Sequence, residues 1–294
     1  MYTNKRVSVI VLDYNRPDLT NFCLESVWKF NRVNIILVNS GSATRDRYTL
    51  NVPFEYVENR KGRSFSIGMN TGLGASRKFD PEYIIFMNND ASVTYRAIEL
   101  LVKALENNEY IGMVSSGYQY SLGYLNREKK FREYVDNDKP KLRFRKKLTG
   151  FCLCCRYDLL VRLGGYDEDF IFTKEDDDLS FRIRNVGYRL AEVLNSKILH
   201  TISSSTDMSN REHIEFISYS VGFGYGLLVA KRQQNRIVTY IFLIFNDIQL
   251  FTKTLSVAHA FNFLIFSSSL KGFISALKMH RTYFPHELEG LSRN

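Results

Sequence analysis

The chain has 294 residues, 45% of them hydrophobic and 24% charged, with no long low-complexity tract. That length suits one large α/β domain with a helical appendage, or two modest domains. A formal net charge of +9 favours anionic partners such as nucleotide phosphates, nucleic acid or an acidic membrane surface, and the N-terminus has no signal-peptide pattern.

Residues 7–12 (VSVIVL) form a continuous apolar, mostly β-branched run, as expected of a strand covered on both faces of a parallel sheet. The run meets a polar turn, Asp13-Tyr14-Asn15-Arg16-Pro17. Pro17 suits the first position of a helix whose apolar face uses Leu19, Phe22, Cys23, Val27 and Phe30. A second strand, residues 33–38, is closed by Asn39-Ser40-Gly41-Ser42. A weaker third strand, residues 54–57, leads to Asn59-Arg60-Lys61-Gly62-Arg63. The helix predicted from Phe65 carries Gly68, Gly72 and Gly74, small residues that allow close packing on a sheet. A fourth strand, residues 83–87 (YIIFM), stops at Asn88-Asn89-Asp90. This alternation through about residue 106 predicts a doubly wound, Rossmann-like, mostly parallel α/β sheet with right-handed crossovers.

Asp13, Asn15, Asn39 and Asp90 gather at strand ends, where open α/β sheets bind ligands, although loops are polar for general reasons too. No G-x-G-x-x-G follows the first strand and no G-x-x-x-x-G-K-[ST] occurs, which disfavours a nicotinamide or flavin site and excludes a P-loop. Residues 107–147 read as irregular and end in a basic run, Lys139 to Lys147. That run reads as a solvated face, a lid over an anionic substrate or a membrane-surface patch. Residues 149–155 read as a buried strand and 156–163 as a short helix. The cluster Cys152-x-Cys154-Cys155 lacks a second ligand pair at zinc-site spacing, so buried free thiols in a reducing, cytosolic setting are expected.

Glu175, Asp176, Asp177 and Asp178 are consecutive, followed by an expected amphipathic helix with Leu179, Ile183 and Val186 on one side and Gly187 at its stop. One capping carboxylate is ordinary, whereas four in a row repel unless something cationic or reactive is close. Capping and chemistry both remain open from the acids alone. Residues 189–199 read as a further strand ending at His200, a residue type that is usually structural in such a place and also a common ligand of divalent metals. Beyond residue 211 the chain reads as helical. Residues 237–251 and 254–270 are apolar and aromatic but interrupted by Asn246, Asp247, His259 and Asn262, so neither reaches the ~20 uncharged residues of a span. Helices that pack on the domain or lie at an anionic membrane interface are expected.

Four motifs in order carry a resemblance: VSVIVLDYNR, LVNSGSATRD, FMNND and the block GGYDEDFIFTKEDDDLSFRIRNVGY, followed by ILH. Together they resemble the inverting glycosyltransferases of family 2, with the GT-A fold, and especially the rhamnosyl- or galactofuranosyl-transferase-like members. The C-terminal LKGFISALKMHR is similar to the tail of that group. The resemblance implies a catalytic, nucleotide-sugar-binding domain over residues 1–210 and a C-terminal helical region over 211–294. It implies a nucleoside-diphosphate-sugar donor, a divalent cation (Mn2+ or Mg2+) held by Asp90 and His200, and Asp176 as general base, with Glu175 and Asp178 supporting the catalytic centre. Asp13, Asn15, Arg16, Asn39, Gly62, Asn70, Asn88 and Asn89 match the surroundings of the donor. The implied acceptor is a hydroxyl of a glycan, lipid-linked or protein-linked molecule, and the implied place is the cytoplasm, at the inner face of a membrane.

The chemistry is consistent with these roles. A cation offsets charge developing on the leaving diphosphate, a carboxylate takes the proton of the attacking hydroxyl, and like-charged neighbours would make Asp176 more basic. Asn39 stands where the family commonly has Asp, and Asp13 where it commonly has Thr, so uridine, deoxythymidine and guanosine donors all remain open. Two rivals are a sugar-phosphate nucleotidyltransferase, disfavoured by the lack of a Gly-rich basic loop after the first strand, and a non-catalytic basic nucleic-acid-binding protein, for which no recognition motif is present.

Overall fold

The structure is a computed structural model that describes residues 6–30, 33–41, 43–49, 53–60, 64–93, 96–121, 139–148, 150–201, 211–232 and 259–283. The chain divides into two compact units, residues 1–168 with 176–205, and residues 169–175 with 206–294.

Among the described residues the first unit is built on a nine-stranded sheet. Its strands are β1 (Val7–Asp13), β2 (Asn34–Asn39), β3 (Glu55–Glu58), β4 (Tyr83–Asn88), β5 (Ala91–Val93), β6 (Ile111–Ser121), β7 (Leu142–Arg145), β8 (Cys152–Arg156) and β9 (Arg189–Thr201). The order is β3-β2-β1-β4-β8-β6-β9-β5, with β7 also paired to β9. β3, β2, β1 and β4 are parallel. β8 runs antiparallel to both β4 and β6, and β9 returns parallel to β6. The sheet is therefore parallel where strands alternate with helices and mixed beyond β4.

Period-2 alternation divides the core into two layers. Val7, Val9 and Val11 of β1 pack with Cys23, Leu24 and Val27 of helix α1 (Pro17–Phe30), and with Leu101 and Leu105 of α3 (Ala97–Glu106). Ile10 joins the opposite layer, with Met69 and Leu73 of α2 (Phe65–Ser76), Leu159 and Leu160 of α4 (Tyr157–Leu163), and Leu179 and Ile183 of α5 (Glu175–Asn185). Each of these fully buried aliphatic side chains contributes about 1.5–3 kcal/mol of transfer free energy. Ser64 caps α2 by accepting from Ile67 N at 3.1 Å. At Gly72 an added Cβ would collide with Ile10 and Val38, so the helix sits on the sheet at a distance only glycine permits.

Three sequence expectations differ from the structure. Residues expected to be irregular (107–147) include the eleven-residue β6 and the four-residue β7. β6 opens on the short stretch Ile111-Gly112-Met113-Val114 and then turns Ser-, Gly- and Tyr-rich, and β8 and β9 pair with it on either side. The four acids do not precede a helix but form the first turn of α5, where carboxylates meet the positive end of the helix dipole. Val186, expected on the apolar side, lies past the last helical residue and is 45% exposed. Gly187, at φ +92°, is where the chain turns away.

The second unit contains α6 (Arg211–Arg232) and α7 (His259–Tyr283). A Cβ at Gly222 would overlap the Ser269 carbonyl, and one at Gly272 the Tyr219 carbonyl, so these two helices touch backbone to backbone. Phe170, Phe223, Leu227, Leu228 and Ala276 form its core. The 169–175 segment is fastened to α6 by the Lys231–Asp169 ion pair at 2.7 Å and by Thr173 Oγ1 donating to Ser220 O at 3.1 Å. Among the described residues no helix is long and apolar enough to cross a membrane. The apolar run 237–251 lies outside the described residues.

Candidate active site

The parallel register brings β1, β2 and β4 to a common end. Asp13 stands opposite Asn39, and Leu12 opposite Asn88. Asp13 is fully buried, and both of its oxygens are engaged. Its Oδ1 accepts from Arg16 N (3.2 Å), Thr20 Oγ1 (2.6 Å) and Asn89 Nδ2 (3.0 Å), and its Oδ2 accepts from Tyr48 Oη (2.8 Å). Burial together with the bond to Asp13 pushes the Tyr48 phenol well above its ordinary range, so it remains a donor. This carboxylate ties the β1 turn, α1, the β4 turn and the 43–49 loop into one rigid rim.

Asn15 occupies the left-handed region at φ +58°, and Gly41 lies directly against its side chain. The Asn39 amide is spent on its own loop, donating to Ala43 O and to Tyr56 Oη at 3.0 Å while accepting from Gly41 N at 3.0 Å. Asn15, Pro17, Ala43, Thr44 and Arg47 line a cavity of about 310 Å3 beside this rim. Arg16 is held by Asp18 at 3.0 Å. That hydrogen bond, with the nearby Asp13 and Asp90 carboxylates, raises the Arg16 guanidinium above its ordinary value.

β4 ends at Asn88, whose N–H donates to Phe151 O at 3.2 Å. Asn89 donates to Asp13 and to Thr20 (both 3.0 Å), which fixes the turn that presents Asp90. Asp90 is 7% exposed. The next residue, Ala91, pairs with His200 across β5 and β9, which sets the backbone of His200 beside that of Asp90. Gly62 lies outside the described residues.

The acids of α5 separate by partner. Asp177 pairs with Lys147 at 3.2 Å, and Asp178 with Arg182 at 2.6 Å. The Asp178–Arg182 pair lies within α5 itself, whereas Lys147 comes from a distant segment. Asp176 accepts from Tyr166 Oη at 3.4 Å, and its carboxylate lies where a side chain at Gly150 would be. Glu175 is buried and is grouped with the second unit. The Asn70 amide is engaged with a distant segment of the first unit. It grips the 165–168 segment by accepting from Tyr166 N (2.8 Å) and donating to Tyr166 O (2.8 Å) and Glu168 Oε1 (3.0 Å).

Asp13, Asn39, Asn88, Asn89 and Asp90 thus share one end of the sheet, with Asn15 and Arg16 in the turn beside it. Gly150, next to the Phe151 that bonds Asn88, connects that end to Asp176. Thr20, Tyr48 and Gly150 were not singled out by sequence reasoning, because nothing local marks them. Tyr166 and Arg182 lay inside the acidic block without a role assigned to them.

Residues 8–162, more than half of the chain, match the sequence model of glycosyl transferase family 2. The chain belongs to that family. Its sheet and flanking helices have the GT-A fold. No curated protein matches it by sequence. Its fold is similar to the mannosyltransferase PcManGT from Pyrobaculum calidifontis, solved with GDP-Man and Mn2+, at TM-score 0.59 and 15% identity over 93% of this chain and 87% of that one. It is also similar to S. aureus TarS 1–349, at TM-score 0.52 and 13% identity over 97% and 76% of the two chains. A third similar structure is GalNAc-T7, solved with UDP, GalNAc and Mn2+, at TM-score 0.54 and 14% identity over 79% of this chain. This family 2 chain spans only about half (52%) of the GalNAc-T7 chain.

Proposed function

We propose that this family 2 glycosyltransferase transfers a sugar, with inversion, from a nucleoside-diphosphate donor to a hydroxyl of a glycan, lipid-linked or protein-linked acceptor. Catalysis is assigned to residues 1–210. The observation that carries the reading is the placement of Asp176 on α5, where its carboxylate lies against Gly150 at the end of the sheet that bears Asn88 and accepts a hydrogen bond from the Tyr166 phenol.

In this reading Asp176 takes the proton of the acceptor hydroxyl as that oxygen bonds to the anomeric carbon. The bond from the anomeric carbon to the diphosphate breaks on the opposite side, and the diphosphate leaves with the electron pair. Asp178 acts through Arg182 rather than on substrate. The rim of Asp13, Asn15, Arg16, Asn39, Asn88 and Asn89 holds the nucleotide, and the 310 Å3 cavity beside Asn15 and Arg47 is a fitting place for part of it.

The residues fit a divalent cation that arrives with its donor. Asp90 and His200 have adjacent backbones. In this reading oxygens of the donor diphosphate would complete the ligand set. Bound there, Mn2+ or Mg2+ would offset the charge growing on the leaving diphosphate. Two proteins of the same fold were solved with a nucleotide or nucleotide sugar and Mn2+, which supports the same ligand class here. A rhamnosyl or galactofuranosyl donor rests on the sequence motifs alone.

The test is thermal unfolding against UDP-, dTDP- and GDP-sugars, each with and without Mn2+ or Mg2+. A midpoint rise that needs both one donor and the metal, and is lost in Asp90→Ala, is expected. Asp176→Asn should keep that rise and lose transfer. No rise with any donor at millimolar concentration would sink the proposal.

A further inference from the structure

Tyr166 follows the Gly164-Gly165 turn and is 2% exposed. Its position is fixed three ways. The ring packs on Phe86 at 4.9 Å between centroids and meets Phe65 edge-on at 5.8 Å. Its backbone N–H and C=O are both bonded by the single amide of Asn70, at 2.8 Å each. The turn before it is held by Arg182, whose Nη1 and Nη2 donate to the carbonyls of Leu163 and Gly165 at 2.9 Å each. Gly165, at φ +70°, lies so close to Asn70 that a side chain there would collide with it.

Phenylalanine would fill the same apolar space. A buried phenol hydroxyl is costly unless it is hydrogen-bonded, and this one donates to Asp176 Oδ1 at 3.4 Å. On the other side of that carboxylate Gly150 leaves room that any side chain would take.

We infer that Tyr166 is the positioning residue for Asp176, its hydroxyl holding the carboxylate in the orientation that faces Gly150. The inference rests on the reading of Asp176 as the base. A carboxylate that accepts a hydrogen bond is favoured in its charged form, so the phenol also keeps Asp176 ready to receive a proton. The charged groups on the same helical turn are Glu175, Asp177 with its Lys147, and Asp178 with its Arg182. Removing the hydroxyl alone leaves all of those in place.

The experiment is a carbon-13 NMR titration of the full chain labelled at its aspartate carboxyl carbons, with the Asp176 signal identified by its disappearance in Asp176→Asn. Tyr166→Phe should raise the Asp176 midpoint by about half a pH unit to one unit. An unchanged or lowered midpoint overturns the inference. Incorporation of 3-fluorotyrosine at position 166 keeps the shape and strengthens the donor, so it should lower the midpoint, and no change there overturns the inference even if Tyr166→Phe does not fold. A role in packing alone would lower the unfolding temperature and leave the titration where it was. Full transfer by Asp176→Asn would overturn the base reading instead, without altering the titration result.

Discussion

Arg182 binds Asp178 through Nε at 2.6 Å while its two remaining nitrogens cap the carbonyls of Leu163 and Gly165. Asp178 is 5% exposed and Arg182 24%. One guanidinium therefore connects the first turn of α5 to the turn that carries Tyr166. Arg182→Ala should cost about 3 kcal/mol, because it leaves a buried carboxylate without its cation. Lysine should not rescue it, since an ammonium lacks the planar fork that serves three acceptors. Urea unfolding measures both variants, and a loss under about 1 kcal/mol would contradict this account.

Gly150→Ala should place a methyl group into the Asp176 carboxylate. Displacing a base by even an ångström costs on the order of a hundredfold in rate, so transfer should fall by that much. The donor-dependent rise in unfolding temperature should survive, because the β1 rim is untouched. Loss of both together would mean that Gly150 matters for folding rather than for placing the base.

Glu192 accepts from Arg143 and Arg145 at 2.6 and 3.0 Å. Burial pushes its carboxyl up, but the two guanidiniums outweigh burial and hold it below its ordinary value of 4.5. A carboxyl lowered in the folded state stabilises above pH ~4.5 and loses that contribution as pH falls through its folded value. Both arginines are about half exposed, so the contribution should be no more than about 1 kcal/mol. Glu192→Gln should lower stability at pH 7 by that amount and flatten the decline below pH ~4.5. Equal pH dependence in both proteins would count against it.

Cys23, Cys152, Cys154 and Cys155 are all buried and free. Burial raises every one of these thiols, Cys152 to about 12. Since the thiolate is the reactive form, Ellman's reagent at pH 8 should find no reactive thiol in the folded chain and all four in denaturant. Rapid reaction of the native protein would show that the β8 layer opens.

Much of the fold was legible because β1, β2, β4 and β8 are continuous runs of apolar residues, and burial on both faces demands such runs. The same logic failed for β6 and β7. β6 is Ser- and Gly-rich and β7 alternates with arginine, so their membership in the sheet depends on partners far along the chain rather than on local composition. The family, too, was legible as an ordered set of motifs, and the match over residues 8–162 bears it out.

The roles within those motifs were not legible in the same way. The resemblance places Asn70 near the donor, and the structure adds that its amide clamps Tyr166, 96 residues away. The acids of α5 are chemically near-identical in the sequence. Asp176 accepts from a phenol, Asp177 pairs with an ammonium and Asp178 with a guanidinium, each delivered by a different residue. By itself the sequence determined which segments can be buried and where polar residues must collect, because periodicity and apolar content act locally. Only the tertiary structure decided that Lys147 meets Asp177 and that Tyr166 meets Asp176, because charge and hydrogen bonding depend on distance in space.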